Sequence, residues 1–210
     1  MQPHEYAIIG LSRTKIGRIL GTAAGLLTST VGLAASAAID LAHHMKIAQS
    51  VPRVISFPLI ATFCFPIGHL VFNKWIWRWG IFSKVLNIPD LSGEWNCTGQ
   101  TDGGATEGAE SKWVGVLRIT QTWEQIRVYL ETAGSISKSR SASILHEPGR
   151  GYVLMYSYHN EPKISHRDMA SHTGYCEIVF AEDLSSAQGE YFNNKGRVTC
   201  GHMAFTRIRE

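Results

Sequence analysis

Two patterns of apolar and polar positions divide the chain. Ile19 to Ile39 runs 21 residues without a charge, and Val54 to Phe72 runs 19 residues with His69 as the polar interruption. At about 1.5 Å per residue, each stretch is long enough to cross a hydrocarbon core of about 30 Å. The pattern therefore predicts a two-helix transmembrane hairpin within residues 1–87. The competing reading of the first stretch is a signal peptide, because Ala35-Ser36-Ala37 resembles a cleavage site. A signal h-region is typically only about 7–15 residues, however, and here a second apolar run follows.

Beyond Asn87 the long runs give way to period-2 alternation. Ile126, Val128 and Leu130 alternate with Arg127, Tyr129 and Glu131, and Tyr152, Leu154, Tyr156 and Tyr158 alternate with Val153, Met155, Ser157 and His159. Strands are predicted over 92–98, 112–122, 125–132, 135–146, 152–159, 171–180, 188–193 and 197–208. Turn-prone clusters such as Glu147-Pro148-Gly149-Arg150-Gly151 separate them. The chain reads as a membrane-anchored all-β protein, with residues 88–210 forming a compact eight-stranded antiparallel β-barrel. Closing such a meander removes its edges and leaves room for one small ligand. Gly93-Glu94-Trp95 is similar to the G-x-W that opens lipocalin barrels.

Charge orients this arrangement. The formal net charge is +3, but residues 1–87 hold eight Lys/Arg against two acids, Glu5 and Asp40. The remainder is net acidic, which argues against a domain that coats DNA or RNA. Arg13, Lys15 and Arg18 precede the first span, and Lys74, Arg78 and Lys84 follow the second. The positive-inside rule then places both termini in the cytoplasm. Trp75, Trp77 and Trp79 either anchor the second helix at the membrane interface or pack on the following domain. Gly17, Gly21 and Gly25 recur every four residues, giving one face of the first span a surface that another helix backbone can approach closely. That other helix is either the second span or a neighbouring protomer.

Catalytic motifs do not appear. The sequence has no Gly-rich phosphate loop, no H-E-x-x-H and no G-x-S-x-G. Cys64, Cys97, Cys176 and Cys200 form no C-x-x-C pair, so neither a zinc site nor a disulfide framework is expected. The expectation is a binding module without a cofactor. Ser137, Ser139, Ser141 and Ser143 share one face of a strand, which either lines a polar cavity or faces water. Tyr156 and Tyr158 on the next strand offer flat stacking faces with hydroxyl tips.

Several segments strengthen a wider likeness: Asp90-Leu91-Ser92-Gly93-Glu94-Trp95, Tyr156-Ser157-Tyr158-His159-Asn160-Glu161-Pro162, Gly189-Glu190-Tyr191-Phe192 and Arg197-Val198-Thr199-Cys200-Gly201. With the two spans ahead of a barrel, they make the whole chain resemble the membrane effectors of cyclic-oligonucleotide-based antiphage signalling (CBASS), those with a nucleotidyltransferase-associated β-barrel. The resemblance implies a barrel that binds a cyclic dinucleotide from a partner nucleotidyltransferase. It also implies self-association of the membrane segments, disruption of the bacterial inner membrane and death of the infected cell. On that reading Tyr156, Tyr158 and Tyr191 are candidate stacking residues, and Arg140, Arg197 and Lys138 candidate phosphate partners. Ser139, Ser141, Thr199 and Asn160 are candidate hydrogen-bonding residues. Parity sets a conflict, because Lys138 and Arg140 alternate with Ser139 and Ser141 and one set must point away from the cavity. Tyr156 also reads as a core residue and Arg197 as a surface charge beside a turn. Two rival functions stand: a membrane-tethered lipid carrier with an apolar cavity, and a docking scaffold whose barrel is filled by side chains.

Overall fold

The computed structural model describes residues 2–47, 66–80, 88–102, 111–166, 170–194 and 198–208. The chain divides into two compact units, one of residues 11–77 and one of residues 1–10 with 78–210.

In the first unit, α1 spans Arg13–His44, 32 residues. Its Ile16–His44 portion is long and apolar enough to cross a membrane. Ile19, Leu26, Leu27, Leu33 and Leu41 are exposed along it, as lipid-facing side chains would be. Residues 66–74 are also helical. The predicted second span begins at Val54, and its residues 54–65 lie outside the described residues. Trp75 and Trp79 are exposed, whereas Trp77 is buried.

The second unit is built from β1 (His4–Ile8), β2 (Gly93–Thr101), β3 (Ser111–Gln121), β4 (Gln125–Thr132), β5 (Ser135–Glu147), β6 (Gly151–Pro162), β7 (His172–Phe180), β8 (Ser186–Asn194) and β9 (Cys200–Arg207). The period-2 runs beyond Asn87 each form a strand at nearly the expected bounds. They follow one another as an antiparallel meander, and β9 returns to pair with β2. The ring closes on itself in the order β1-β4-β3-β2-β9-β8-β7-β6-β5.

Among the described residues the ring holds nine strands rather than the expected eight, because a segment from outside 88–210 joins it. β4 and β5 pair directly only where Tyr129, Leu130 and Glu131 face Lys138, Ser137 and Ile136. Beyond that point they diverge, and β1 fills the gap. It runs antiparallel to β4 at His4 and Glu5, and parallel to β5 at Tyr6, Ala7 and Ile8. Tyr6 and Ile8 are buried while Glu5 and Ala7 are exposed, the alternation of a strand with one face inward. Five residues ahead of a long apolar run are too few for that alternation to stand out in the sequence.

The barrel has a dry end and a wet end. Trp95, Leu117, Ile126, Leu154, Ile178, Phe180 and Phe205 are almost fully buried at the dry end. Trp95 meets Phe180 edge-to-face with ring centroids 4.9 Å apart. Gln121 is the polar exception and is satisfied there. Its Oε1 accepts from the Leu91 amide at 2.9 Å, and its Nε2 donates to Tyr6 Oη and the Pro89 carbonyl at 3.2 and 3.1 Å. A buried amide with partners on both sides is tolerated where an unpaired one would be costly.

Candidate functional site

Toward the other end of the barrel the inward positions change from aliphatic to aromatic and hydroxylic, and a cavity of about 820 Å³ opens. Its lining includes Trp113, Tyr156, Tyr158 and Tyr191, with Thr101, Thr132, Ser135, Ser137 and Thr199, and with Asn160, Asn193 and His172. No described lining residue is Lys, Arg, Asp or Glu. The volume lies in the range of small-molecule sites, and the mixture of flat faces and fixed polar groups suits a ligand that is both planar and hydrogen-bonding.

Glycines seat three of the rings. A Cβ built on Gly99 would lie 2.2 Å from the Trp113 indole, one on Gly174 would lie 2.5 Å from the Tyr158 ring, and one on Gly201 would lie 2.9 Å from the Tyr191 ring. Only residues without a side chain let these rings lie flat along the inner wall. Gly174→Ala is therefore expected to lower the thermal midpoint, with a cost of about 1–3 kcal/mol for the overpacking. An unchanged midpoint would show that both the Tyr158 ring and the Phe192 carbonyl, which that Cβ would approach to 2.6 Å, give way freely.

Hydrogen bonds lock the polar wall. Tyr158 Oη donates to Asn193 Oδ1 at 2.6 Å, and Asn193 Nδ2 donates to Thr199 Oγ1 at 2.7 Å. Thr101 Oγ1 and Tyr191 Oη lie 2.8 Å apart. Asn160 Nδ2 donates to Ser135 Oγ at 3.0 Å and to Ser137 Oγ at 2.8 Å. Among the described residues, Asn160 Oδ1 is a buried acceptor without a partner. Deeper in, burial lifts the Tyr156 hydroxyl well above its ordinary value and pushes the Cys97 and Cys176 thiols up to about 12. Both thiols stay protonated at neutral pH and behave as small apolar groups.

Of the residues singled out in the sequence, Tyr156, Tyr158, Asn160, Tyr191 and Thr199 line the cavity. A bulge settles the parity conflict on β5. Ser139 faces Tyr158 across the ladder, but Ser141 faces Ser157, so Arg140 is an extra residue and the strand turns over there. Ser141 thus lies on the outer face, with its Oγ 2.6 Å from Ser157 Oγ, and Arg140 is exposed. Neither lines the cavity. Lys138 also points outward and pairs with Glu161 at 2.6 Å. Ser139 is inward but does not line the cavity, because His4 covers it: Ser139 Oγ is 2.7 Å from His4 Nε2. Arg197 lies outside the described residues. The serines that do reach the cavity are Ser135 and Ser137, before the bulge. Trp113, Asn193, His172 and Thr101 were not anticipated either. The signal available for two rings was a glycine at an inward parity position on a neighbouring strand: Gly99 beside Trp113, and Gly201 beside Tyr191.

In comparisons with known proteins, residues 86–207 match the family model described as the Cap15 cyclic dinucleotide receptor domain, and residues 14–78 match the one described as the Cap15 TM helices. The chain is also 38% identical over 210 residues to CD-NTase-associated protein 15 of Yersinia aleksiciae, covering 99% of each chain. The chain belongs to the Cap15 family of CBASS-associated membrane effectors.

Proposed function

We propose that the cavity is the receptor site for a cyclic dinucleotide made by a partner nucleotidyltransferase. Its loading drives self-association of the membrane segments, loss of inner-membrane integrity and death of the infected cell. The observation that carries this reading is the roughly 820 Å³ cavity edged by Trp113, Tyr158 and Tyr191, with hydroxyl and amide groups between the rings, within the segment that matches the receptor domain. Two bases need aromatic faces, and two phosphates need donors. Here the faces are supplied by the seated rings, and the described donors are hydroxyls and amides rather than cations. The hydroxyls and amides set among the aromatic faces favour a planar, hydrogen-bonding ligand over a fatty acid, and the open volume argues against a barrel filled by its own side chains. Calorimetry on the full-length chain in detergent, titrated with cyclic dinucleotides and a fatty acid, tests the reading. Micromolar or tighter binding of one dinucleotide is expected, and silence across the dinucleotides from folded protein would remove it.

The membrane part of the proposal has the chain cross the bacterial inner membrane twice, through α1 and a second helix that includes residues 66–72, with both termini in the cytoplasm. Along α1, a Cβ at Gly17, Gly21 or Gly25 would meet nothing within 4 Å among the described residues. That strip is free for a second backbone to approach. Messenger has to bind the assembled state more tightly than the resting one, since equal affinity shifts no equilibrium. Gly21→Leu is accordingly expected to abolish killing in cells that make the messenger and to lower dinucleotide affinity to that of the unassembled protein without abolishing binding. Intact killing would place the assembly surface elsewhere.

A further inference from the structure

The segment that begins the chain is part of the receptor ring, and it is also the segment that leads into α1. Residues 9–12 are all that separate the end of β1 from the start of α1. β1 sits in the seam where direct pairing of β4 and β5 is shortest. That seam is also a wall of the cavity. Leu130 and Ser137 both line it, and they are the central pair of the direct β4–β5 ladder.

A chain of bonded groups continues from this wall to β1. Two residues beyond Ser137, Ser139 Oγ accepts the Val128 amide at 3.0 Å and contacts His4 Nε2 at 2.7 Å. His4 Nδ1 donates to the Glu5 carbonyl at 2.8 Å, so in the neutral ring Nε2 is the acceptor and Ser139 supplies the proton. The bulge at Arg140 follows at once, and the parallel β1–β5 ladder starts at Tyr6 opposite Ala142. The Ile9 amide extends that ladder to the Ile144 carbonyl at 2.8 Å. β1 is the shortest of the described strands, held by two register pairs to β4 and three to β5, and its release exposes the buried Tyr6 and Ile8.

Resting on the receptor reading above, we infer that the β4–β5 seam is a strand-binding site whose ligand is the chain's own segment His4–Ile8, and that filling the cavity loosens this segment and so releases the start of α1. Ligand pressing on Leu130 and Ser137 acts on the direct β4–β5 pairs first. Ser139 and His4 are the next groups along β5, and β1 follows. His4 and Ser139 are positioning residues in this scheme and touch no ligand.

The test is a reversible lock. Ala7 and Ser143 face each other in the parallel ladder and carry outward side chains. Neighbouring strand positions fall within the separation that a disulfide spans. The full-length Ala7→Cys/Ser143→Cys chain is placed in dye-loaded lipid vesicles and challenged with the cyclic dinucleotides of the binding panel, oxidised and then reduced, with each single substitution as control. The expected result is a dinucleotide that still binds the oxidised chain but severalfold more weakly than the reduced one, because the ligand must favour the released strand, with dye release at least tenfold lower when oxidised and recovery of both on reduction. Equal release in the oxidised and reduced states, with binding intact, would overturn the strand inference and leave the receptor reading standing. Absence of binding in both states, by folded protein, would overturn the receptor reading and this inference with it.

Discussion

Replacing Tyr191 with alanine in the full-length chain is expected to raise the dissociation constant for a bound cyclic dinucleotide by about 10–100-fold while moving the thermal midpoint only slightly. The size follows from base–aromatic stacking, worth about 1–3 kcal/mol per base by alanine substitution. Tyr191 is the right position because it is half-buried at the wet end and rests on Gly201. Its ring lies 6.2 Å from Trp113, inclined at 64°, so the two present different faces to one space. Its hydroxyl meets Thr101 Oγ1, a neutral hydrogen bond of the kind worth about 0.5–1.5 kcal/mol. Tyr156 makes the contrast. It is almost fully buried next to Cys176, and truncating it removes core as well as wall, with a cost of about 3–5 kcal/mol expected for a large aromatic. Tyr156→Ala therefore weakens binding and folding together, and Tyr191→Ala separates them. Calorimetry paired with thermal unfolding distinguishes the two. Unchanged affinity in Tyr191→Ala would take this ring out of the recognition surface.

Much of the architecture was legible because each half of the chain repeats its rule many times. The period-2 runs from Gly93 onward keep one inward face for eight strands, and α1 keeps its apolar character for seven turns or more. The candidate site was legible only where strand parity survives. Along β6 it does, so Tyr156, Tyr158 and Asn160 lie on one wall. Along β5 it fails at Arg140, since one inserted residue exchanges the faces of all that follow. Serine tolerates either face, and nothing in Ser137 through Ser143 marks where the strand turns over. Asn193 and His172 are hidden for another reason. Their part in the cavity depends on which strands become neighbours, and that is a property of ring closure. β1 was missed because its partners are strands more than a hundred residues away.

Tyr6→Ala combined with Ile8→Ala is expected to remove about 3–6 kcal/mol of the barrel's stability, a large share of the 5–15 kcal/mol that a domain commonly has. The estimate takes about 1.5–3 kcal/mol for each large apolar side chain fully buried. Both side chains are under one-tenth exposed. The ring of Tyr6 also carries a hydroxyl that donates to the Thr122 carbonyl at 3.1 Å and accepts from Gln121. Without them β1 has little to hold it, and β4 and β5 are left with unpaired backbone along the seam, an edge open to association. Glu5→Ala with Ala7→Ser is the matched control, because those positions face outward and should leave the midpoint within about 0.5 kcal/mol. Denaturant unfolding of the full-length chain, followed through the buried tryptophan fluorescence of Trp95, reads the difference directly. If the two double variants unfold together, β1 contributes no packing to the ring. If only the inward pair is sensitive, a fragment cut at residue 88 is an incomplete receptor, and dinucleotide affinities measured on it would belong to a barrel with an open seam.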